Sequence, residues 1–438
     1  MSIYPSLSDT VDKNYNVTIP GRNDFINRFH MPYYNSYEEL FEGDFPHRKW
    51  SMEEIEGKGR GVICTSPIKK GELVFQERAS ILYLGPEEEN SQKDSTFHLV
   101  RNVYLGDATA TPHFVAQLAQ NPERSQEFEE HVQWMLSEFE MNHQGFKYPV
   151  IEEELRRIVN GIHTNSFSLD FQDGFAVFMG CSLVNHSCHE NMGWHTVGDT
   201  MYYTALEDIE VGTELTISYS FPNVNSKRIH YYEQYYGFTC DCEWCTNGID
   251  NWRCFDCKYC GGIVYPDNDG WVCHTCKRCA TEEEVFFLEA EEKAILQFKP
   301  ESRYRWYYRP KRQMSPYHMT LFKALRNYFM TEACCNPIQL AEEVLIPVAE
   351  FHRELSHGRL YAAVLEQYSL VLLKYARIET IHELELRAKA MDCLKKAYDY
   401  RCSIGMGVTG YAAAILQENL RYFDPEILKG NIVHYEEY

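Results

Sequence analysis

The chain has 438 residues, 44% of them hydrophobic, and a net charge of −22. That length is enough for two or three units of ~100–200 residues, and the composition excludes a disordered chain. The acidity and the lack of any Lys/Arg-rich run argue against direct nucleic-acid binding and favour basic partners, or simply solubility.

Residues 1–48 are rich in Tyr, Asn and Pro without a clear period, and read as an N-terminal extension wrapping on the body. Met1-Ser2-Ile3-Tyr4-Pro5 has no basic region followed by an apolar run, so no signal peptide is expected. No window approaches ~18 uninterrupted apolar residues, so no membrane span is expected either. Short strands and turns follow: Gly61-Val62-Ile63-Cys64, then Pro67 and Gly71, then Leu73-Val74-Phe75. Residues 113–160 read as helices, with Phe114, Leu118, Phe128, Val132, Met135, Leu136 and Phe139 near helical spacing. Strands return over 161–220, at Met201–Leu206 and Leu215–Ser218, with Glu210-Val211-Gly212 as the turn between. From 281 onward the pattern is helical. Thr281 with Glu284 forms a capping box, and Asn336-Pro337 is an N-cap with proline at the first helical position. Amphipathic segments lie near 338–354, 358–376, 379–402 and 409–422, with connections short enough for antiparallel pairs.

Sixteen cysteines in a chain without a secretion signal point to thiolate metal sites rather than disulfides. Cys240-x-Cys242-x2-Cys245 supplies three thiolates, one short of a closed tetrahedron. Cys254-x2-Cys257-x2-Cys260 and Cys273-x2-Cys276-x2-Cys279 place two Cys-x2-Cys knuckles 12 residues apart, a zinc ribbon. Which pair of each triplet binds is open. Cys257 and Cys260 are favoured because Gly261-Gly262 permits the turn that aims backbone N–H groups at sulfur. Cys273 and Cys276 are favoured because they follow the strand-like Trp271-Val272. Cys254 and Cys279 are bystanders or members of a larger cluster. Cys334, Cys335, Cys393 and Cys402 read as helical core.

Three further pieces carry a family resemblance: Asn185-His186-Ser187-Cys188, Glu214-Leu215-Thr216-Ile217-Ser218-Tyr219, and the Cys240/Cys242/Cys245 trio. With Gly57-Lys58-Gly59-Arg60-Gly61-Val62 and Gly71–Phe75 upstream, they resemble the SET-domain lysine methyltransferases over roughly residues 50–280. The likeness is nearest to the branch in which a MYND zinc finger interrupts the SET domain. Residues 81–160 contain no cysteine, so that finger is absent here. An acidic helical stretch near 123–140 stands in its place, and partner recruitment through MYND is not carried over.

The resemblance implies S-adenosyl-L-methionine as methyl donor. Transfer to lysine is an in-line displacement that needs donor, carbon and nitrogen held collinear. The lysine must be neutral although its free pKa is ~10.4. A sulfonium nearby and a desolvated, aromatic-walled channel favour that neutral form. By resemblance Tyr219 is the central catalytic tyrosine, with Tyr236 and Phe167 as walls of the lysine channel. Cofactor-binding positions are Lys58, Gly59, Arg60, Asn165, Leu183, Val184, Asn185, His186 and Phe238, with Lys58 and Arg60 placed to meet the methionine carboxylate. Cys188 is the matching fourth ligand to Cys240, Cys242 and Cys245, which would couple metal binding to pocket formation.

These readings imply an α+β chain: an N-terminal extension (1–48), a mostly β SET core in two parts (49–85 and 161–239) and a helical insert (86–160). A post-SET zinc site with the ribbon (240–280) and an all-α, tetratricopeptide-like C-terminal domain (281–438) follow. The expected function is a protein-lysine N-methyltransferase with about two zinc ions per chain. Its expected place is the nucleus and/or cytoplasm, and histone tails are the leading substrate class. The rival is a non-catalytic SET-fold scaffold recruiting partners through the ribbon and helical array.

Overall fold

The computed structural model describes residues 33–85, 91–122, 125–170, 173–267, 270–297, 313–331, 334–378 and 381–421, with the helix bounded by Ser91–Leu105 described by its backbone at its start. Most of the N-terminal extension, the acidic run Glu87–Glu89 and the last residues of the C-terminal region lie outside them. The fold is α+β, in two compact units. The first holds residues up to Tyr219 with His230–Cys240 and Ile404–Tyr411; the second holds Ser220–Ile229, Asp241–Ser403 and the chain from Ala412.

The first unit is built from short strands. β1 (Trp50–Ile55) and β2 (Gly59–Cys64) form an antiparallel hairpin in register Ile55↔Gly59. β3 (Leu73–Arg78) pairs with β9 (Thr200–Ala205), which also pairs with β8 (Met192–Val197). β4 (Ile81–Leu84), β6 (Gly174–Val177) and β5 (Ser166–Ser168) make another three-stranded sheet, with β6 in the middle. The last pair is β7 (Asn185–His186) against β10 (Thr216–Ile217), and it is parallel.

Helices Ser91–Leu105, Gln126–Met141 and Glu152–Asn165 fill the insert. Strands therefore begin at 166 rather than at 161. Ser125 caps the second of these helices by accepting from Phe128 N–H, as a serine does at an N-cap. One core joins the strands and helices. In it Trp50 stacks on Phe75 at 4.5 Å and Phe139 packs edge-on against Phe146.

Among the described residues, the N-terminal region holds a helix that its lack of period hid, Tyr37–Asp44 capped by Ser36. Tyr37, Leu40 and Phe41 are buried in the same core. The segment 404–411 also belongs to this unit. Thr204 Oγ1 donates to the Ile404 carbonyl at 3.1 Å, and His195 Nε2 meets Thr409 Oγ1 at 2.6 Å. A Cβ at Gly405 would lie 2.6 Å from the Gly71 carbonyl oxygen, so only glycine permits that approach. The boundary drawn from sequence left 404–411 with the helices, because nothing local marks a contact 200 residues away.

The second unit carries a small antiparallel sheet of β11 (Phe255–Asp256), β12 (Ile263–Asp267) and β13 (Gly270–Cys273), followed by helices. Thr281 and Glu284 make the expected capping box of the helix Glu282–Leu296. Asn336 caps the Pro337 helix, which passes through a π-helical turn at Ala341–Leu345 just before Pro347. Proline lacks the N–H needed for the regular ladder, and a widened turn accommodates it. Helices Arg359–Ala376 and Glu383–Ser403 pack together, and Arg401 clamps Glu366 through two nitrogens at 2.6 and 2.8 Å. No helix among the described residues is long and apolar enough to cross a membrane.

A buried polar network makes this unit acid-sensitive. Burial opposes ionisation of Glu292, but hydrogen bonds from His318 and Arg253 overcome it and hold the carboxyl down to about 2. Burial pushes His352 from 6.5 down to about 4, although its Nε2 faces the Tyr317 carbonyl at 2.7 Å. Between those two values the unfolded chain binds more protons at His352 than the folded chain, so stability is lost as pH falls through that window. Glu292 adds stability that is present above its unfolded value of 4.5 and lost as pH falls toward 2. The contribution of these two groups to the urea midpoint is expected to fall as pH drops below 6.5, against the opposite contribution of the buried Glu77 in the first unit. His352→Gln, which keeps a donor for Tyr317, is expected to flatten the slope between 6.5 and 4. An unchanged slope in that variant would remove His352 from the account.

Candidate active site and cysteine clusters

The site begins at the β1–β2 turn. Gly57 and Gly59 take φ of +76° and +70°, which a side-chain-bearing residue adopts only with strain. This left-handed turn puts Lys58 at the tip, where its Nζ meets Glu214 Oε2 at 2.9 Å. The other carboxylate oxygen of Glu214 accepts from Asn185 Nδ2 at 3.0 Å. One side chain thus ties together the three motif segments around 58, 185 and 214. A Cβ at Gly61 would sit 2.6 Å from Asn185 Nδ2, so that glycine is needed for the approach.

The segment 213–217 is the seam. On one side Thr213 O accepts from Cys64 N–H at 2.9 Å, and Leu215 N–H donates to Val62 O at 2.8 Å. On the other side it runs parallel to β7 in register Thr216↔Asn185 and Ile217↔His186. Parallel strands need a crossover connection, and here the β8–β9 hairpin supplies it. Asn191 completes the seam: its amide accepts from Thr216 N–H at 2.9 Å and donates to Glu214 O at 2.8 Å.

This pairing seats Tyr219. Its hydroxyl donates to Val184 O at 2.7 Å, and its N–H donates to His186 Nδ1 at 3.1 Å. With Nδ1 accepting, His186 carries its proton on Nε2, which faces Cys188 Sγ at 3.3 Å. Rings enclose the tyrosine. Tyr236 lies 4.8 Å and Phe238 6.4 Å from it, centroid to centroid, and Tyr232 stacks on Phe238 at 5.6 Å. His186 lies 4.1 Å from Tyr232. Burial, with Glu214 adding to it, raises the Tyr219 hydroxyl well above the usual tyrosine range, and burial does the same for Tyr236. Both stay neutral at physiological pH, so neither is suited to act as a base.

The remaining expected positions divide. Leu183 and Val184 are buried at the end of a 3₁₀ turn, Cys181–Leu183, that leads directly into β7. Phe167 on β5 packs edge-on against Trp194 at 5.4 Å, and Trp194 Nε1 donates to Ser218 O at 3.4 Å. Phe167 thus reaches the tyrosine segment through Trp194. Arg60 does not stand with Lys58 as a second cation awaiting a carboxylate. It bonds to the Gln117 carbonyl and lies over the Tyr37 ring at 4.9 Å. Asn165 Nδ2 donates to Ala119 O at 2.9 Å and Gly161 O at 2.8 Å. Both side chains therefore grip the 117–119 segment. Glu214, Asn191, Trp194 and Tyr232 carry this geometry without having been singled out as site residues. Glu214 opens the quoted motif and Asn191 lies three residues after Cys188, which is the signal that could have found them.

The cysteines fall into two groups of four whose sulfurs lie within 4.8 Å of one another: Cys188, Cys240, Cys242, Cys245 and Cys257, Cys260, Cys273, Cys276. In the first, Cys240, Cys242 and Cys245 share one short stretch of chain, and Cys188 Sγ lies 4.0 Å from Cys240 Sγ. In the second, Gly262 N–H points at Cys260 Sγ at 3.4 Å, the turn expected of the glycine pair. Four thiolates are a donor set that suits a closed tetrahedral metal site. Cys254 stays outside, buried and donating to Asn251 O, and Cys279 is exposed. Cys334 and Cys335 lie in a loop before the Pro337 helix, and Cys335 is exposed, so the helical-core reading fails for it.

A family match covers the segments around 59, 185 and 214 that build this site. Residues 59–220 match the family model of the SET domain. A putative SET domain-containing protein L678 of Acanthamoeba polyphaga mimivirus is 26% identical over 207 residues, 44% of this chain and 75% of that protein. The N-lysine methyltransferase SMYD2-B of Danio rerio is 30% identical over 101 residues, 22% of this chain and 23% of its own length. Among solved structures, Rubisco LSMT bound to sinefungin and monomethyllysine matches 88% of this chain and 92% of its own at 12% identity, with a TM-score of 0.36. Rubisco LSMT bound to AdoMet matches 86% and 89% at 13% identity, with a TM-score of 0.34. Residues 59–220 of this chain are a SET domain, one with no cysteine between 81 and 160.

Proposed function

We propose that the chain is a protein-lysine N-methyltransferase using S-adenosyl-L-methionine. The observation that carries the reading is the seat of Tyr219: hydroxyl on Val184, amide on His186, and rings of Tyr236 and Phe238 around it. The match to an N-lysine methyltransferase over 101 residues supports it.

The residues fit the cofactor by chemistry. A Cβ built on Gly59 would meet nothing within 4 Å, so the turn beside Lys58 faces open space. Lys58 offers an ammonium to a carboxylate, shared with Glu214. The half-buried Phe238, backed by the buried Tyr232 stacked on it and with His186 tilted beside them, offers an apolar wall to a purine. The cofactor supplies an electrophilic methyl group on a sulfonium. The chain supplies position: the Tyr219 hydroxyl, pinned by Val184, fixes where an amine can sit, and the rings exclude water and disfavour the protonated amine. Zinc in both cysteine tetrads completes the proposal, with the first tying the chain after Phe238 to the segment after His186.

Histone tails are the leading substrate class, with other lysine-bearing basic proteins close behind, and the proposed place of action is the nucleus and/or cytoplasm. The charge of −22 supports a basic substrate. So do the exposed Glu152 and Glu153 at a helix start. Attraction between exposed charges is screened over ~8 Å at physiological ionic strength. Peptide KM is therefore expected to rise several-fold between low and moderate salt while kcat stays level, since flanking charges lie far from the reacting nitrogen. A salt-independent KM, with neutral and basic flanks used equally, would remove the charge argument for histones. The function itself is tested by labelled-methyl transfer on an array of histone and other lysine peptides. Label on lysine supports the reading; cofactor binding without transfer to any peptide would favour the scaffold.

A further inference from the structure

Glu77 on β3 has no part in the roles above, yet it is 1% exposed and fully engaged. Its Oε1 accepts from Gly180 N–H at 3.0 Å and its Oε2 from Cys181 N–H at 2.7 Å. Those two donors open the 3₁₀ turn. Leu183 N–H returns to Gly180 O at 3.1 Å, and Val184 N–H to Cys181 O at 3.2 Å. Tyr203 on β9 holds the same turn by donating to Cys181 O at 3.2 Å. The next carbonyl, Val184 O, is the acceptor for the Tyr219 hydroxyl. An unbroken run of bonds thus leads from the carboxylate, through residues 180–184, to the tyrosine. A Cβ at Gly180 would lie 2.9 Å from the Phe45 ring and 3.0 Å from Glu77 Oε2, so the turn is pressed against the carboxylate.

Resting on the methyltransferase reading, we propose that Glu77 is a positioning residue that fixes the 180–184 turn and, through the Val184 carbonyl, the place of the Tyr219 hydroxyl. The groups acting on it are Asp44, Tyr34 and Tyr37 from the N-terminal segment, Cys181 in the turn and Tyr203 on β9. Burial raises its carboxyl and Asp44 adds to that. The two backbone donors pull the other way, and the balance lies at about 7 against an unfolded 4.5. Between those values the folded chain binds more protons than the unfolded one, so Glu77 lowers global stability as pH rises. Its ionised form alone accepts both N–H groups on bare oxygens. Global stability and local placement therefore respond to it with opposite signs, which separates positioning from a plain structural role.

The test compares the full chain with its Glu77→Gln variant. The amide keeps the size but turns an N–H toward one of the two donors. Hydrogen exchange in peptides covering 178–187 and 214–221 is expected to quicken about tenfold or more in the variant, as loss of a bond to a charged acceptor implies. Peptides in 359–403 should not change, and the melting temperature should not drop. In the active enzyme kcat should fall about tenfold with KM within about threefold, and the acid limb of the kcat profile should disappear. Unchanged exchange in both segments of a folded variant overturns the proposal, as does an unchanged kcat. A wild-type chain that transfers no methyl group defeats the functional reading by itself, and the exchange data still decide the placement. Should the variant not fold, wild type decides. After correction for intrinsic rates, protection over 178–187 must fall between about pH 8 and about pH 5. Flat protection overturns the proposal.

Discussion

Replacing Tyr219 by Phe is expected to lower turnover by about 100-fold or more while leaving S-adenosylmethionine affinity within a few-fold. The hydroxyl is the only part removed, and it is held at 2.7 Å by Val184 O. Without that bond the ring keeps its contacts with Tyr236 and Phe238, so the wall of the channel survives. What is lost is the fixed oxygen that defines where a nucleophilic nitrogen sits, and a misplacement of about 1 Å can cost about 100-fold in rate. Because burial keeps the hydroxyl protonated, the loss should be uniform across neutral pH rather than confined to an alkaline limb. Steady-state kinetics on a good peptide, beside a cofactor titration, check both halves. A variant with full turnover would remove Tyr219 from the chemistry.

Cys240→Ser is expected to remove one of about two bound metal ions and to weaken cofactor binding by about 100-fold or more. Cys240 follows Phe238 by two residues, and Cys188 follows His186 by two. Their sulfurs lie 4.0 Å apart. A metal there pins both walls of the proposed purine site in a single step. Serine is a weaker, harder ligand and leaves a buried hydroxyl where a thiolate closed the tetrahedron. Elemental analysis of protein purified without chelator counts the ions. The matching change in the ribbon, Cys273→Ser, is expected to remove an ion while sparing cofactor affinity. A Cys240 variant that loses metal yet binds cofactor normally would break the coupling.

Much of this site could be read from short motifs, and the reasons are local. The thiolate spacings need no knowledge of the fold, since Cys-x2-Cys places two sulfurs on one turn whatever surrounds it, and the structure gathers the favoured four. Thr281 with Glu284, and Asn336 before Pro337, announce helix starts by chemistry confined to four residues. The parallel β7–β10 pair was not legible as a pairing. Its strands are two residues long, too short for any period, and its register is set by Asn191 and by β2. The helix at Tyr37–Asp44 was missed for a related reason. Its buried face is three residues amid acidic ones, and its partners, such as Phe114 at 4.8 Å from Tyr37, come from far along the chain. Arg60 shows the limit of reading a role from a neighbour. Beside Lys58 in sequence, it is drawn off by the Gln117 carbonyl and the Tyr37 ring. Glu77 gave no sign because a glutamate on a strand is ordinarily solvated, and only the fold buries it against two amides.

The most direct measurement is a calorimetric titration of the full, zinc-loaded chain with S-adenosylmethionine. Saturable binding at one site per chain is predicted, retained in Tyr219→Phe and lost in Cys240→Ser. No saturable binding at high micromolar cofactor would contradict the account.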